Sequence, residues 1–421
     1  MLENNHSSSE SSPKSLVVIG GGAAGFFCAV NAARLAPDLH VSILEKTNKL
    51  LSKVKVSGGG RCNVTHACFD ILEISKRYPR GEKFVKKAFH QFFTTNTVQW
   101  FESRGVKLKE EQDGRIFPVS DSSQSVIDCL MNEAAMYGVD VRTGCEVRQI
   151  EVDDSHFAIK LVNGEMVSAS HVVIATGGFP KRSMFDWLKV LGHSIADPVP
   201  SLFTFNLPKQ PITALQGVSA PARLKIEGSK LAQEGSVLIT HWGLSGPAVL
   251  RLSAWGAREL ADRNYHFQVH INWLPPHNEQ SIKDDFDTLR REHGSKKIWG
   301  HNFGHLPKRL WEFLLTASGV KPEIRFADLP AKTENLLIKN LADYIVSVSG
   351  KTTFKEEFVT AGGVTLSEVD ANKMMSKKVP NLYFAGEVLD VDGITGGFNF
   401  QHAWTSGWIA AKDIANQVSK I

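Results

Sequence analysis

Cysteine is scarce and badly spaced for chemistry: Cys28, Cys62, Cys68, Cys129 and Cys145 include no Cys-x-x-Cys pair. That excludes a zinc ribbon and a dithiol redox couple, and an odd set of five without framework spacing indicates a reducing compartment. Charge of one sign is lacking too, with 48 Lys+Arg against 44 Asp+Glu and a formal net charge of +4. So small an excess suits anionic ligands and argues against nucleic acid as a partner, since nucleic-acid domains carry a focused basic face. The basic stretch from Lys76 to Lys87, with Arg77, Arg80, Lys83 and Lys86, reads as solvated surface. No basic start leads into an apolar stretch, so residues 1–14, polar and Ser-rich, read as a disordered tail and not as a signal peptide. Leu16 to Ala33 runs uncharged, but Gly20, Gly21, Gly22 and Gly25 divide it into a β-branched strand and a small-residue helix, unlike a membrane span. The expectation is a cytoplasmic protein with no membrane partner. No fixed-period repeat is present.

What is present begins with length. A chain of 421 residues exceeds the roughly 250–300 residues that one core supports, so two or three domains are expected. Leu16–Ile19, Ala23–Leu35 and Val41–Leu44 read as strand, helix and strand, a complete βαβ unit. Phe84 to Phe101 has helical spacing, with Phe89, Phe92, Phe93 and Trp100 as core. Asp113-Gly114 marks a hairpin, and a helix is expected from about Ser123 to Tyr137. Val147–Val152, Phe157–Val162 and Met166–Ser168 are spaced as a β-meander running into the buried strand His171–Ile174. Short alternating stretches follow Asp197-Pro198, helical patterns occupy Leu310–Leu315 and Leu336–Ile345, and a last helix spans about His402–Val418.

Gly20-Gly21-Gly22-Ala23-Ala24-Gly25 is a G-x-G-x-x-G between strand and helix. Gly20 makes the turn, Gly22 lets a pyrophosphate approach, and Gly25 lets helix and strand pack; the helix N-terminus attracts the phosphates. Glu45 ends the next strand about 20 residues on, placed for a ribose diol, with Lys46 beside it. An acid there disfavours a 2′-phosphate, which leaves FAD or NAD. FAD is favoured by three further elements. Ser57-Gly58-Gly59-Gly60-Arg61-Cys62-Asn63 is a basic glycine loop whose N–H groups and Arg61 can reach pyrophosphate or flavin. Ala175-Thr176-Gly177-Gly178 is a bare strand end. Near the C-terminus, Gly386-Glu387 offers an acid for ribityl hydroxyls, and Gly396-Gly397-Phe398-Asn399 turns into a helix whose N–H groups would face the flavin edge. Val147 completes the candidate cofactor contacts.

With these motifs, and with Arg115–Pro118, Thr240–Pro247, Val359–Val364 and Ala385–Gln401, the chain resembles the YhiN/BaiN-type family of NAD(P)/FAD-dependent oxidoreductases, among the two-dinucleotide-binding-domain-like flavoproteins. The resemblance implies an α/β fold. In it a Rossmann-type FAD-binding domain from both chain ends (15–195 and 356–421) is interrupted by a β-barrel-like domain (196–276 and 346–355) and a small helical domain (277–345). Phe179-Pro180-Lys181-Arg182-Ser183 departs from the family's usual stretch after Gly177-Gly178.

The function expected is hydride passage between a small organic substrate and FAD. Only one dinucleotide fingerprint is evident, so NAD(P)H is expected as a transient co-substrate at most. His241 and Asp392 are the catalytic candidates, the first as an acid or base in a middle segment expected to cap the flavin, the second beside the flavin turn. A flavin-dependent RNA-modifying enzyme and a non-catalytic flavin redox sensor are the alternatives. No metal site is expected.

Overall fold

The structure, a computed structural model, describes residues 14–153, 156–301, 303–352 and 359–419. The expected tail lies outside those residues except for Lys14, and so do residues 353–358, where the chain was expected to re-enter the FAD domain. The chain divides into two compact units, Met1–Pro198 with Val359–Ile421, and Val199–Phe358.

The first unit is built on a parallel sheet ordered Leu382–Phe384, His171–Ile174, Ser15–Ile19, His40–Glu45 and Asp140–Thr143. Its middle strand is the apolar run Leu16–Ile19, buried throughout, as a strand covered on both faces requires. The N-terminal strand therefore has a neighbour from the far end of the chain only one strand away. Asp140–Thr143 was not foreseen as a strand. Its Asp-Val-Arg-Thr sequence has no apolar run, which an edge position tolerates.

The helix Ala23–Leu35 is buried from Ala24 to Ala33, and it packs along the C-terminal helix Phe398–Ser419. A Cβ on Gly407 would lie 2.7 Å from the Ala24 carbonyl oxygen, so glycine sets how closely these helices approach. Phe27 anchors an aromatic cluster, its ring centroid 5.5 Å from Phe92, 4.6 Å from Trp100 and 5.2 Å from Trp404. Each such pair adds about 0.5–1.5 kcal/mol beyond burial. The Phe84–Phe101 stretch is two helices, Glu82–Phe89 and Thr94–Glu102, because the Asn96 side chain accepts the Phe93 N–H at 2.9 Å and starts a new one.

The second unit holds an antiparallel sheet ordered Tyr344–Ser349, His266–Asn272, Ser219–Ile226, Ala232–Ile239, Gly243–Ser245, Thr204–Asn206 and Lys351–Thr352. Its two end strands are consecutive in the chain, separated by Gly350 alone, so one continuous stretch pairs with His266–Asn272 at its start and with Thr204–Asn206 at its end. Helices Glu279–His293, Lys308–Ala317 and Ala331–Ala342 share one core with those strands, through Phe286, Trp311 and Leu337 on one side and Leu224 and Ile271 on the other. The helix expected to reach Ile345 ends at Ala342, and Ile345 lies on a strand whose alternating burial marks it as half-covered. Among the described residues, no helix is long and apolar enough to cross a membrane.

Candidate FAD site

Two glycines of the fingerprint are required by the fold. A Cβ on Gly20, which has φ +116°, would fall 2.4 Å from the Ala175 carbonyl oxygen, and one on Gly25 would fall 2.0 Å from that of Gly20. Gly22 is different. Its φ is −93°, and a Cβ there would meet nothing within 4 Å. The space before Gly22 and the first turn of the helix is therefore open. The helix's first N–H groups have no intrahelical acceptor and draw an anion by about 0.3–1 kcal/mol from the dipole alone.

Glu45 stands at the end of the adjacent strand. Its Oε2 accepts the Gly21 N–H at 2.9 Å, and its Oε1 accepts the Thr47 N–H and hydroxyl, each at 2.9 Å. A carboxylate offers about four lone-pair positions, so capacity for about one ribose hydroxyl remains. Glu45→Ala is expected to weaken FAD binding about tenfold to hundredfold, since a charged hydrogen bond is worth about 1.5–3 kcal/mol. Titrating FAD into folded apoprotein measures this; unchanged affinity would remove Glu45 from the site.

The second glycine loop is cut from the helix Ser52–Gly60, which loses helical geometry at Ser57. Gly58, Gly59, Gly60 and Cys62 all have positive φ, between +58° and +85°. Arg61 is turned away from the role expected of its side chain. It donates to Glu111 Oε1 at 2.6 Å and stacks 4.0 Å from the Phe117 ring centroid, so the loop offers backbone N–H groups before it offers a guanidinium. Cys62 is a buried thiol pushed up to about 12 by desolvation, too high for thiolate chemistry.

Residues 63–66 clamp the C-terminal turn. The Asn63 amide donates to the Thr65 carbonyl and accepts the Gly397 N–H, both at 2.9 Å. Thr65 Oγ1 donates to Gln401 Oε1 at 2.6 Å, Trp404 Nε1 donates to the Val64 carbonyl at 2.9 Å, and His66 Nδ1 lies 3.0 Å from the Gly396 carbonyl. A Cβ on Gly397 (φ +91°) would be 2.6 Å from the Thr65 carbonyl oxygen. Glycine is thus needed there for contact with the protein's own backbone, a different reason from the approach to a flavin ring that the sequence suggested. His66 was missed by the sequence reading, because no spacing rule links it to a turn some 330 residues away. Its ring lies 4.6 Å from that of Phe398, and burial lowers its pKa, which favours a neutral ring that orients the turn.

The return segment meets the fingerprint directly. A Cβ on Gly386 (φ +75°) would lie 2.9 Å from Ala24 Cβ, and the Gly386 N–H donates to Ser406 Oγ at 2.8 Å. Glu387 accepts the Thr360 N–H at 2.7 Å and Lys53 Nζ at 2.6 Å. Gly178 leaves room for Thr360, and Thr176 Oγ1 bonds the Gly177 carbonyl at 3.3 Å. Gly20–Gly25, Thr176–Gly178 and Gly386–Glu387 therefore form one junction. Asn399 closes the next loop by bonding Gly393 at 2.8 and 3.0 Å, while Tyr78 donates to the Phe398 carbonyl at 2.6 Å. Phe398 and Asn399 open the C-terminal helix, four residues ahead of the His402 start expected from sequence.

Asp392 does not stand as a free acid or base. It is fully buried and paired through both oxygens with Arg80, with Nε–Oδ1 at 2.5 Å, which makes it a strut of the loop. His241 belongs to the second unit, exposed on the turn after Ala232–Ile239, its ring edge-on to Trp242 at 4.5 Å. The surrounding Thr240–Gly243 turn is closed by Thr240 Oγ1 to the Gly243 carbonyl at 3.1 Å. Lys46 is exposed, 5.9 Å from the Phe179 ring centroid, and Val147 begins the meander strand, half-buried and paired with Leu161.

The junction fits a dinucleotide in a further respect. Thr360 Oγ1 and His402 Nδ1, one beside Glu387 and the other on the ring facing Gly386, are buried without a hydrogen-bond partner. Burial holds His402 at about 4 against an ordinary 6.5. The folded pKa is depressed, so the contribution is complete above about pH 6.5 and is lost as pH falls towards 4. That difference corresponds to about 3 kcal/mol. Denaturant unfolding of the apoprotein should show stability falling across this window, and His402→Gln should flatten the fall. An equal pH slope in the variant would exclude His402 as its source.

The chain matches the family described as HI0933-like protein Rossmann domain over residues 14–413. It is 32% identical over 401 residues to the ribosomal RNA dihydrouridine synthase of Escherichia coli K12, covering 93% of this chain and 95% of that one. To the 3-dehydro-bile acid delta(4,6)-reductase of Clostridium scindens it is 30% identical over 404 residues, covering 94% and 97%. The fold is similar to an open flavocytochrome c3 fumarate reductase, with TM-score 0.51 and 17% identity over 97% of this chain and 79% of that one. It is similar also to a 3-ketosteroid-delta4-(5alpha)-dehydrogenase from Rhodococcus jostii RHA1, with TM-score 0.50 and 14% identity over 97% and 99%. The chain belongs to the HI0933-like family and is an FAD-dependent oxidoreductase.

Proposed function

We propose that this protein reduces a carbon–carbon double bond conjugated to a carbonyl group. The observation that carries the reading is that two relatives of nearly full length are named for reactions of that one kind. Dihydrouridine is uridine with its ring double bond saturated, and that bond is conjugated to a carbonyl. A delta(4,6)-reductase acting on a 3-dehydro bile acid saturates bonds conjugated to the 3-oxo group.

Bound FAD in its reduced form would supply a hydride to the carbon remote from the carbonyl, and a proton from solvent at the neighbouring carbon would complete the product. Glu45 holds the adenosine ribose, and the open face at Gly22 takes the pyrophosphate. Glu387, fixed by Thr360 and Lys53, receives the ribityl chain. Asn63, Thr65 and His66 hold the Gly396–Gly397 turn and the start of the C-terminal helix, whose first N–H groups would stabilise negative charge on the flavin edge. NAD(P)H would serve as the transient hydride donor that returns the flavin to its reduced form.

Purified protein should be yellow and release FAD, not FMN, on denaturation. Reduced anaerobically and mixed with oligouridylate or with a 3-oxo-4-ene steroid, it should reoxidise with at least one, giving a product richer by two hydrogens. A simple unconjugated alkene should leave it reduced. Failure of both conjugated probes, or equal reaction with the unconjugated one, overturns the reading.

A further inference from the structure

We infer that the exposed face of the helix Glu82–Phe89, with the segment leading into it, docks the phosphate backbone of single-stranded RNA next to the flavin loop. The inference rests on the proposed reaction, and it selects a polynucleotide as the substrate that this surface fits.

Along the chain the cations from Lys76 to Lys87 look scattered, but the helix gathers them. Phe84, Val85, Ala88 and Phe89 are buried, which leaves Lys83, Lys86 and Lys87 on the exposed face. These positions are separated by three and four residues and form one stripe. Glu82 in the first turn and Lys86 and Lys87 in the last suit the helix dipole, and Lys83 adds a further cation to the same exposed face. Their neighbours are neutralised: Lys76 pairs with Glu73 at 2.6 Å, and Arg80 pairs with Asp392. Among the described residues, Arg77, Lys83, Lys86 and Lys87 enter no ion pair.

The same segment holds the flavin loop. The Arg77 carbonyl accepts the Ile394 N–H at 2.9 Å, Tyr78 donates to the Phe398 carbonyl, and a Cβ on Gly81 would fall 2.7 Å from Val391. The Arg77 charge also lies close enough to His66 to lower its pKa, while Asp113 and Glu110 act on the same ring in the opposite sense. Phe69, three residues past His66, is 59% exposed where most phenylalanines of this chain are buried. Unpaired cations with an exposed aromatic side chain form the usual surface for single strands, the cations tracking phosphates and the ring stacking a base.

The test is binding of labelled oligouridylate to the FAD-loaded full chain over a salt series. Each phosphate contact contributes about 0.7 to the slope of log affinity against log salt. Lys83→Ala/Lys86→Ala/Lys87→Ala should therefore lower the slope by about 2, with FAD content and reduction of a small conjugated ketone unchanged. Phe69→Ala should weaken binding about tenfold without altering the slope. A wild-type chain that does not bind oligouridylate at low salt, or a triple variant with an unchanged slope, overturns the inference. Capture by phosphatidylserine vesicles in place of oligouridylate would give the face to a membrane surface and overturn it as well. Small-ketone reduction without RNA binding sinks the docking surface alone; RNA binding with the expected slope but no reduction of either probe sinks the proposed reaction.

Discussion

Gly22→Val is expected to give a folded but colourless protein. Valine suits the extended backbone at Gly22, and its Cβ would enter space that no atom of the protein occupies within 4 Å. That space lies before the N-terminus of the helix Ala23–Leu35, where a pyrophosphate would sit. FAD affinity should fall at least about a hundredfold, near 3 kcal/mol, while the circular dichroism and unfolding of the apoprotein stay at wild-type values. Gly20→Ala is the contrasting variant. With φ +116° and a carbonyl oxygen 2.4 Å from the new Cβ, it must shift the backbone, so stability should fall together with binding. Absorbance of bound flavin and thermal unfolding of each apoprotein separate the two effects. A yellow Gly22→Val protein at full stoichiometry would place the pyrophosphate elsewhere.

The pair also shows what the sequence could reveal. Spacing identified Gly20, Gly22 and Gly25 together, because strand, turn and helix are local, and the apolar run Leu16–Ile19 announced a central strand. Spacing could not show that Gly20 and Gly25 answer to the fold while Gly22 answers to the ligand, since that distinction depends on Ala175, far along the chain. The same limit applies at the clamp. Gly396-Gly397 was recognisable as a turn before a helix, but its partners Asn63, Thr65 and His66 come from the other end of the sequence. The edge strand Asp140–Thr143 was missed for a local reason, because a half-exposed strand needs no apolar run. Arg61 was plausible as a pyrophosphate ligand until Glu111 and Phe117 were seen to hold it.

Removing Asp392 should have the largest structural effect. Beside a presumed flavin turn it looked like an acid or base. In the structure its carboxylate is fully buried against Arg80, whose side chain is only 12% exposed. Asp392→Ala would take from that buried guanidinium the carboxylate bound to both its Nε and its terminal nitrogen, at a cost of about 3–5 kcal/mol. For a unit of this size the apoprotein's Tm should drop by roughly 6–20 °C, at about 2–4 °C per kcal/mol. Because Arg77, Tyr78 and Arg80 hold the loop Asp390–Asn399 from one short segment, FAD retention should fall with stability. A catalytic base would behave otherwise: Asp392→Asn would stop turnover while leaving Tm and flavin content intact. Replacing both partners, as Arg80→Met/Asp392→Leu, should recover most of the lost Tm, since a buried pair exchanged for apolar side chains is often neutral. A double variant as unstable as Asp392→Ala would show that the guanidinium left behind is not the cause, and would return Asp392 to the candidates for chemistry.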